Sequence, residues 1–398
     1  MKIAFISNSN YKGGADLSAL KIFKLLKKGK INIKFLIRFS KTNNRNQILI
    51  GNYYLNLFRS LIFLPLKNIL KEKDFSLNIF PSRVIPILKK ERFDLINFHW
   101  LGSETISINE IKKIKQPIVF TLHDQWLYNG GEHYFNFEKK NRSSLFIFIN
   151  KYLKSLKSDI FKKNNIFFVC PSRWMKKELK KKINITDDRI ATIPYPINRK
   201  IFRPASKAIN KNFFNISTKK KIGLFITATN INDKRKGFDL LKISLDNLKK
   251  NYFELLLVGS KIQTLNLKQK FYSKNFINSE TQVSKLINCS DFLLFPSRAD
   301  NLPNVVLESL SCNKPIVAFD VGGLRDVIKH GFNGYLAKPF DTQDFCKGID
   351  FVLANSKKLS KNISSDHSFK KFVEQKYILE KYIKFFNKIN YIADKNNS

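Results

Sequence analysis

Residues 291–323 read DFLLFPSRADNLPNVVLESLSCNKPIVAFDVGG. The runs 291–296 (DFLLFP) and 315–320 (PIVAFD) are short, apolar and without alternation, as strands buried on both faces are. Between them, 303–312 has a helical pattern, and Pro303 suits a first helical position, where a missing N–H costs nothing. A strand, a helix and a second strand in this order imply a parallel pair with the helix as crossover.

The same alternation extends in both directions. Upstream apolar runs lie at 221–228 (KIGLFITA) and 253–259 (FELLLVG), and helical patterns fill 237–250 and 342–355. The first half repeats the scheme with runs at 2–7, 31–38, 93–98, 117–122 and 166–170, and helical stretches at 14–28 and 173–182. The pattern restarts near 221 after the polar, Pro-containing stretch 194–219, which reads as a linker. The expected class is α/β: two doubly wound, Rossmann-like parallel-sheet domains, one over 1–200 and one over 201–375. A helix and tail over 376–398 should pack back on the first, fraying from about 392.

At 398 residues, 43% hydrophobic and 13% aromatic, the chain can bury two cores, which excludes a disordered protein or a disulfide-stapled mini-domain. Cys170, Cys289, Cys312 and Cys346 are far apart and form neither CxxC nor zinc spacing. Net charge is +41; residues 1–200 carry 39 basic against 14 acidic side chains, residues 201–398 carry 33 against 17. Such a field fits a polyanionic partner, an anionic membrane surface or nucleic acid, although a Lys- and Asn-rich codon bias gives the same count. Two amphipathic stretches are candidates for lipid docking: 17–30, with Lys21, Lys24, Lys27 and Lys28 beside Leu17, Leu20, Phe23 and Leu26, and 146–163. No apolar run reaches the roughly 18 to 20 residues of a membrane span, and nothing resembles a signal peptide. A cytoplasmic protein, peripheral on the inner face of the cytoplasmic membrane, is expected.

Open parallel sheets bind ligands at the carboxyl ends of their strands. After the first strand, Lys12-Gly13-Gly14-Ala15-Asp16 opens a helix whose amides suit a phosphate or sugar oxygen, and which equally fits a plain glycine turn. After 93–98 come His99 and Trp100; after 117–122 come His123 and Asp124, then Trp126 and the turn Asn129-Gly130-Gly131-Glu132-His133. Polar, titratable residues at two strand ends exceed what packing needs. No ligand spacing links these histidines, so no metal is expected, and His133 is expected to stabilise its turn. After 221–228 come Asn230 and the cations Lys234, Arg235 and Lys236, ahead of a helix, a combination suited to a diphosphate. After 291–296, Asp300 in the loop and Glu308 on the helix can face one ligand, carboxylates being natural partners for sugar hydroxyls.

The run 296–339, PSRADNLPNVVLESLSCNKPIVAFDVGGLRDVIKHGFNGYLAKP, with KRKG upstream, resembles the donor half of GT4-type retaining glycosyltransferases of the GT-B fold. FDLINFHWLGSETISINEIKKIKQPIVFTLHDQWLYNGGEHY resembles the acceptor half of the bacterial surface-polysaccharide, colanic-acid-like branch. With KGGADLS, the resemblance spans residues 10–340. It implies two domains facing a central cleft. The reaction implied is transfer of a sugar from a nucleotide-sugar donor to a growing polysaccharide or lipid-linked oligosaccharide, without metal or other cofactor. It further implies that Glu308 binds the ribose, Asp300 lies near the donor sugar and diphosphate, Lys236 binds the diphosphate and His123 approaches the donor sugar. Gly13 and Gly14 match the glycine-rich loop, with Arg235 and the amides of Leu302, Pro303 and Asn304 as further donor contacts. Asp16, His99, Trp100 and Asp124 are acceptor-side candidates.

Three departures stand out. Asp300 replaces the usual glutamate, and Asn230 occupies the position of the basic residue six before Lys236, leaving Arg235 or Lys234 to take its role. The cysteines that many relatives of the branch carry near the GG-x-HY segment are missing, Glu132 standing there instead. Rival readings are a sugar-nucleotide epimerase on the same fold and a basic nucleic-acid-binding protein; the latter lacks any recognised motif, and no nucleic-acid partner is expected.

Overall fold

The computed structural model describes residues 1–11, 13–40, 45–51, 57, 59, 61, 75–134, 142–248, 252–260, 262, 265, 267–277 and 279–397. Lys12 of the first glycine turn and the end of the helical pattern at 249–250 lie outside these. The chain divides into two compact units, Met1–Pro194 with Ile378–Ser398, and Tyr195–Tyr377.

The first unit holds a parallel sheet of β1 (Lys2–Ser9), β2 (Asn32–Phe39), β3 (Gln47–Leu49), β4 (Leu95–Phe98), β5 (Ile118–Thr121), β6 (Ile166–Cys170) and β7 (Ile190–Thr192), in the order β3-β2-β1-β4-β5-β6-β7. The chain moves one way from β1 to β3 and the other way from β4 to β7, so the order reverses between β1 and β4. The second unit holds β8 (Lys221–Asn230), β9 (Phe253–Ser260), β10 (Phe271–Lys274), β11 (Phe292–Phe295), β12 (Ile316–Phe319) and β13 (Gly334–Ala337), also parallel, in the order β10-β9-β8-β11-β12-β13. Its reversal falls between β8 and β11. Strand ends at such a reversal splay apart into a crevice, which is where ligands of doubly wound sheets sit.

β4, β5, β6, β11 and β12 are buried at every position, in keeping with their unbroken apolar runs and with helices on both faces. Helix Gly13–Lys28 buries Ala19, Ile22, Phe23, Leu25 and Leu26 and leaves Lys24, Lys27 and Lys28 in water. That corrects the reading of 17–30 as a lipid-docking stretch: its apolar face is spent on the core, where Phe23 packs near Phe5 and Phe35. Helix Gln375–Asn397 buries Tyr382, Phe385, Phe386 and Ile389, with Phe385 edge-on to Phe167 of β6. It stays helical past 392, where fraying was expected. Among the described residues no helix is long and apolar enough to cross a membrane.

Candidate functional site

In the second unit the loops after β8, β11 and β12 lock together through backbone. Asp233 caps a single 3₁₀ turn, Lys234–Lys236, by accepting from the Arg235 amide at 3.0 Å. The Arg235 carbonyl then accepts from the Arg298 amide (2.8 Å) and from Ser297 Oγ (3.0 Å). Gly237 has φ +70°, and a Cβ there would fall 1.9 Å from the Pro296 carbonyl oxygen; Gly322, at φ +58°, meets the Asp300 carbonyl in the same way. Only glycine permits both that backbone conformation and that approach. The Gly323 amide completes the lock by donating to the Asn301 carbonyl at 2.8 Å.

Within this frame Lys236 Nζ donates to Asp300 Oδ2 at 2.7 Å, and Arg235 Nη1 stands 3.6 Å from the same oxygen. Burial lowers the Lys236 pKa, the Arg235 charge lowers it further, and Asp300 opposes both. Lys236 and Arg235 thus share the Asp300 carboxylate, and Arg235 Nη2 also lies 3.9 Å from Asp233 Oδ2. Lys234 is exposed. Asn230 Oδ1 accepts from the Asn232 amide at 3.0 Å, so this side chain shapes its own turn. Arg298 is committed to a bidentate pair with Asp239, at 2.7 and 2.6 Å.

Helix Asn304–Ser311 starts one residue later than the sequence suggested. Pro303 is its cap residue, with ψ 128°, because proline donates nothing and tolerates extended backbone. No side chain caps this N-terminus, and Leu302 is buried beneath it. Glu308 is 7% exposed, one turn into the helix.

In the first unit, residues after β1, β4 and β5 meet at the other reversal. The Asn8 amide bonds the Trp100 carbonyl (3.0 Å) and the His99 amide bonds that of Ile6 (2.8 Å), tying the ends of β1 and β4. Asp16 is buried: Oδ1 accepts from Ser7 Oγ (2.7 Å) and the Ser9 amide (3.2 Å), Oδ2 from Ser9 Oγ (2.7 Å). It anchors the helix to the strand end. A Cβ on Gly13 or Gly14 would meet nothing within 4 Å, so open space borders the first turn.

His99 Nδ1 lies 3.0 Å from His123 Nε2. Burial pushes His123 down to about 4 and His99 well below the usual imidazole range, with His123 adding to the latter shift. Both rings are therefore neutral near pH 7, one donating and one accepting. Asp124 Oδ2 receives Trp100 Nε1 (2.9 Å) and His133 Nδ1 (2.6 Å), while Oδ1 receives the Trp126 amide (3.0 Å). Burial raises the Asp124 pKa, but His133 and these hydrogen bonds outweigh it and the net shift is downward. His133 Nε2 faces Ser76 Oγ at 2.8 Å. These groups surround a cavity of about 20 Å³, room for about one water. Among the described residues no group of three His, Cys, Asp or Glu is placed to hold a metal ion.

Reading by position had confined His133 to its turn; it does accept the Gln125 amide there, and it is also the partner of Asp124. Ser76 and the buried Lys157 were not singled out at all. Lys157 was legible by period: it falls four after Leu153 and three before Ile160, on the buried face of helix Ser144–Phe161.

Residues 17–200 match the family described as Glycosyltransferase Family 4, and residues 206–367 that described as Glycosyl transferases group 1. An uncharacterized glycosyltransferase of Methanocaldococcus jannaschii is 23% identical over 384 residues, covering 93% of each chain. A diphospho-undecaprenol N-acetylgalactosaminyltransferase of Campylobacter jejuni is 25% identical over 118 residues, 29% of this chain and 31% of that one. Among solved structures, an Anabaena protein crystallised with UDP-glucose superposes with TM-score 0.70 at 15% identity, covering 97% of this chain and 99% of that one, a likeness of fold. Two Rossmann-like parallel sheets with these matches define a GT-B enzyme. The chain belongs to the GT4-type glycosyltransferases.

Proposed function

We propose that this glycosyltransferase moves a hexosyl group, with retention of anomeric configuration, from a nucleoside diphosphate sugar to a saccharide or lipid-linked acceptor of a surface polysaccharide. The observation that carries the reading is the Arg235–Lys236 pair gathered on Asp300 at the β8/β11 reversal, a cationic seat where a diphosphate would gain most. Lys236, Arg235 and the amides of Leu302 to Asn304, proline's excepted, would stabilise the charge developing on the leaving diphosphate. Glu308 would accept from the ribose hydroxyls. As the bond from the anomeric carbon to the phosphate oxygen breaks, its electrons pass to the diphosphate. The acceptor oxygen bonds the anomeric carbon from the same face, and its proton goes to the leaving phosphate. Neutral His123 would approach the donor sugar, with Gly13 and Gly14 lining the open space before Asp16. His99, Trp100 and Asp124 would belong to the acceptor side.

A thermal-stabilisation screen of sugar nucleotides, followed by NMR of the product's anomeric proton, tests this. Stabilisation by a nucleoside diphosphate hexose, weakened about tenfold or more in Glu308→Ala, is expected from the roughly 1.5 to 3 kcal/mol of a charged hydrogen bond. Conversion of the donor without acceptor would instead mark an epimerase, and an inverted product would overturn retention.

An anionic membrane surface is the proposed meeting place with a lipid-linked acceptor. Helix Ser144–Phe161 supports it, because its outer face exposes Leu145, Ile147, Phe148 (68%) and Tyr152 beside the exposed Lys151 and Lys154. The next helix in this unit to pack on the same core cluster, Arg173–Lys182, presents Arg173, Lys177, Lys180 and Lys181 along one groove, Lys180 paired with Asp187 and Lys181 with Glu178. Apolar side chains flanked by cations match lipid headgroups above acyl chains. Co-sedimentation should require acidic vesicles, fall with salt and drop in Phe148→Glu; equal binding of that variant would refute this surface.

A further inference from the structure

On helix Ser144–Phe161 the stripe Phe146, Leu153, Ile160 enters the core, and Lys157 stands in it at 1% exposure. Its Nζ donates to the carbonyls of Trp126, Asn129 (3.2 Å) and Gly130 (2.5 Å) and lies 3.6 Å from the centroid of the Trp126 ring. Among the described residues none of its hydrogen bonds goes to a carboxylate. Burial lowers its pKa well below the usual lysine range, with Asp124 opposing. The geometry nevertheless fits the ammonium form: three carbonyls and an aromatic face all seek protons on nitrogen, and a neutral amine would turn its lone pair on one of them.

A buried cation is costly, and methionine would fill the same space without desolvation. The surroundings show what a lysine adds there. The gripped turn, Trp126–Gly130, connects Asp124 to His133. The same helix holds the next residues as well, Asn150 accepting from the Gly131 amide (2.7 Å) and donating to Glu132 (2.9 Å). The titratable groups around this point are Asp124, the imidazoles of His99, His123 and His133, the Tyr128 hydroxyl with Glu178 acting on it, and, beyond them, the Glu132–Arg142 pair. Asp124 favours the Lys157 ammonium, and the ammonium in turn favours the Asp124 carboxylate.

We propose that Lys157 is a positioning residue of the acceptor-side cluster, clamping the Trp126–Gly130 turn through its carbonyls and adding a buried positive charge that favours the Asp124 carboxylate. The inference deepens the proposed transferase reading by assigning a determinant of the protonation state at that cluster.

The test uses the full chain with Lys157→Met, which removes clamp and charge, and Lys157→Gln, which retains hydrogen-bond donors without charge. Histidine side-chain NMR follows proton uptake by the Asp124–His133 pair, a readout that needs no substrate. Loss of a cation nearby should move uptake about one pH unit upward in both variants, while Lys157→Arg stays at the wild-type midpoint. In a transfer assay at pH 7, Lys157→Met should lose at least about tenfold in kcat, with nucleotide affinity within about twofold of wild type. An unmoved titration in folded Lys157→Gln, or normal turnover in Lys157→Met with only a lower melting temperature, would overturn the assignment. If transfer is absent from the wild type too, the functional reading fails while the titration still decides the role of Lys157.

Discussion

At the strand ends of the C-terminal unit, charged side chains are held by backbone locks: Arg235, Lys236 and Asp300 sit on loops that Gly237 and Gly322 allow to touch. In the corresponding place of the N-terminal unit the charges are the hydrogen-bonded carboxylates of Asp16 and Asp124, with Lys157 gripping the turn. There, aromatic and imidazole rings surround a water-sized cavity, and side chains rather than backbone supply most of the fastening. The difference suits the proposed division of labour. A diphosphate is a fixed multiple anion that rewards preformed cations; a hydroxyl acceptor is neutral and rewards a controlled protonation state. Substitutions should accordingly separate the units, one through nucleotide binding and the other through pH.

The largest effect is expected at Lys236. Lys236→Ala removes the donor proposed to meet the developing charge and leaves Asp300 with a more distant cation, so turnover should fall by about 10² to 10³. Asp300→Ala should cost about 10² with modest change in donor KM, and Asp300→Glu should also be impaired, because the Gly322 contact holds the loop where an aspartate already reaches Lys236. A fully active Asp300→Glu would show that the loop is not fitted to the shorter side chain.

A smaller effect distinguishes the units by acid. His123, held neutral by burial at about 4, is protonated first in the unfolded chain, near 6.5. Its contribution is whole above about pH 6.5 and declines by about 1 kcal/mol per unit as pH falls towards 4, with His99 adding in the same direction. In the C-terminal unit His330 and His367 are exposed. Trp100, Trp126 and Trp174 all lie in the N-terminal unit, so tryptophan fluorescence reports its melting alone. Melting by fluorescence should drop between pH 6.5 and 5 while nucleotide binding persists. A parallel decline of both would erase the contrast.

The sequence disclosed the sheets through their centres. β3, β7, β10 and β13 left no apolar run, and they are the four edge strands: each is only three or four residues long and partly exposed, so burial on both faces never shaped its composition. The cationic cluster after β8 was legible because three adjacent cations before a helix have no use in packing. Lys157 was hidden among Lys151, Lys154, Lys162 and Lys163, where a basic run reads as a solvated face unless the buried period is followed through it. His133 was hidden because its partner, nine residues earlier, is brought to it by a turn rather than by a regular element.

The smallest effect concerns which cation takes the role of the one missing at Asn230. Lys234 and Arg235 are adjacent, and the sequence favoured neither. In the fold Arg235 is only 16% exposed, 3.6 Å from Asp300, with its Nη1 also 3.4 Å from the Ala299 carbonyl, whereas Lys234 is exposed and its carbonyl receives Arg298. A solvated lysine contributes little to an anion a few ångströms away, because water screens it and its long chain loses entropy on ordering. Lys234→Ala should therefore change kcat/KM by less than about twofold, and Arg235→Ala by about tenfold or more, the two measured side by side at one ionic strength. Comparable losses at both positions would mean that the seat is a diffuse basic loop, and the contrast between a locked donor cluster and a tuned acceptor cluster would lose its charged half.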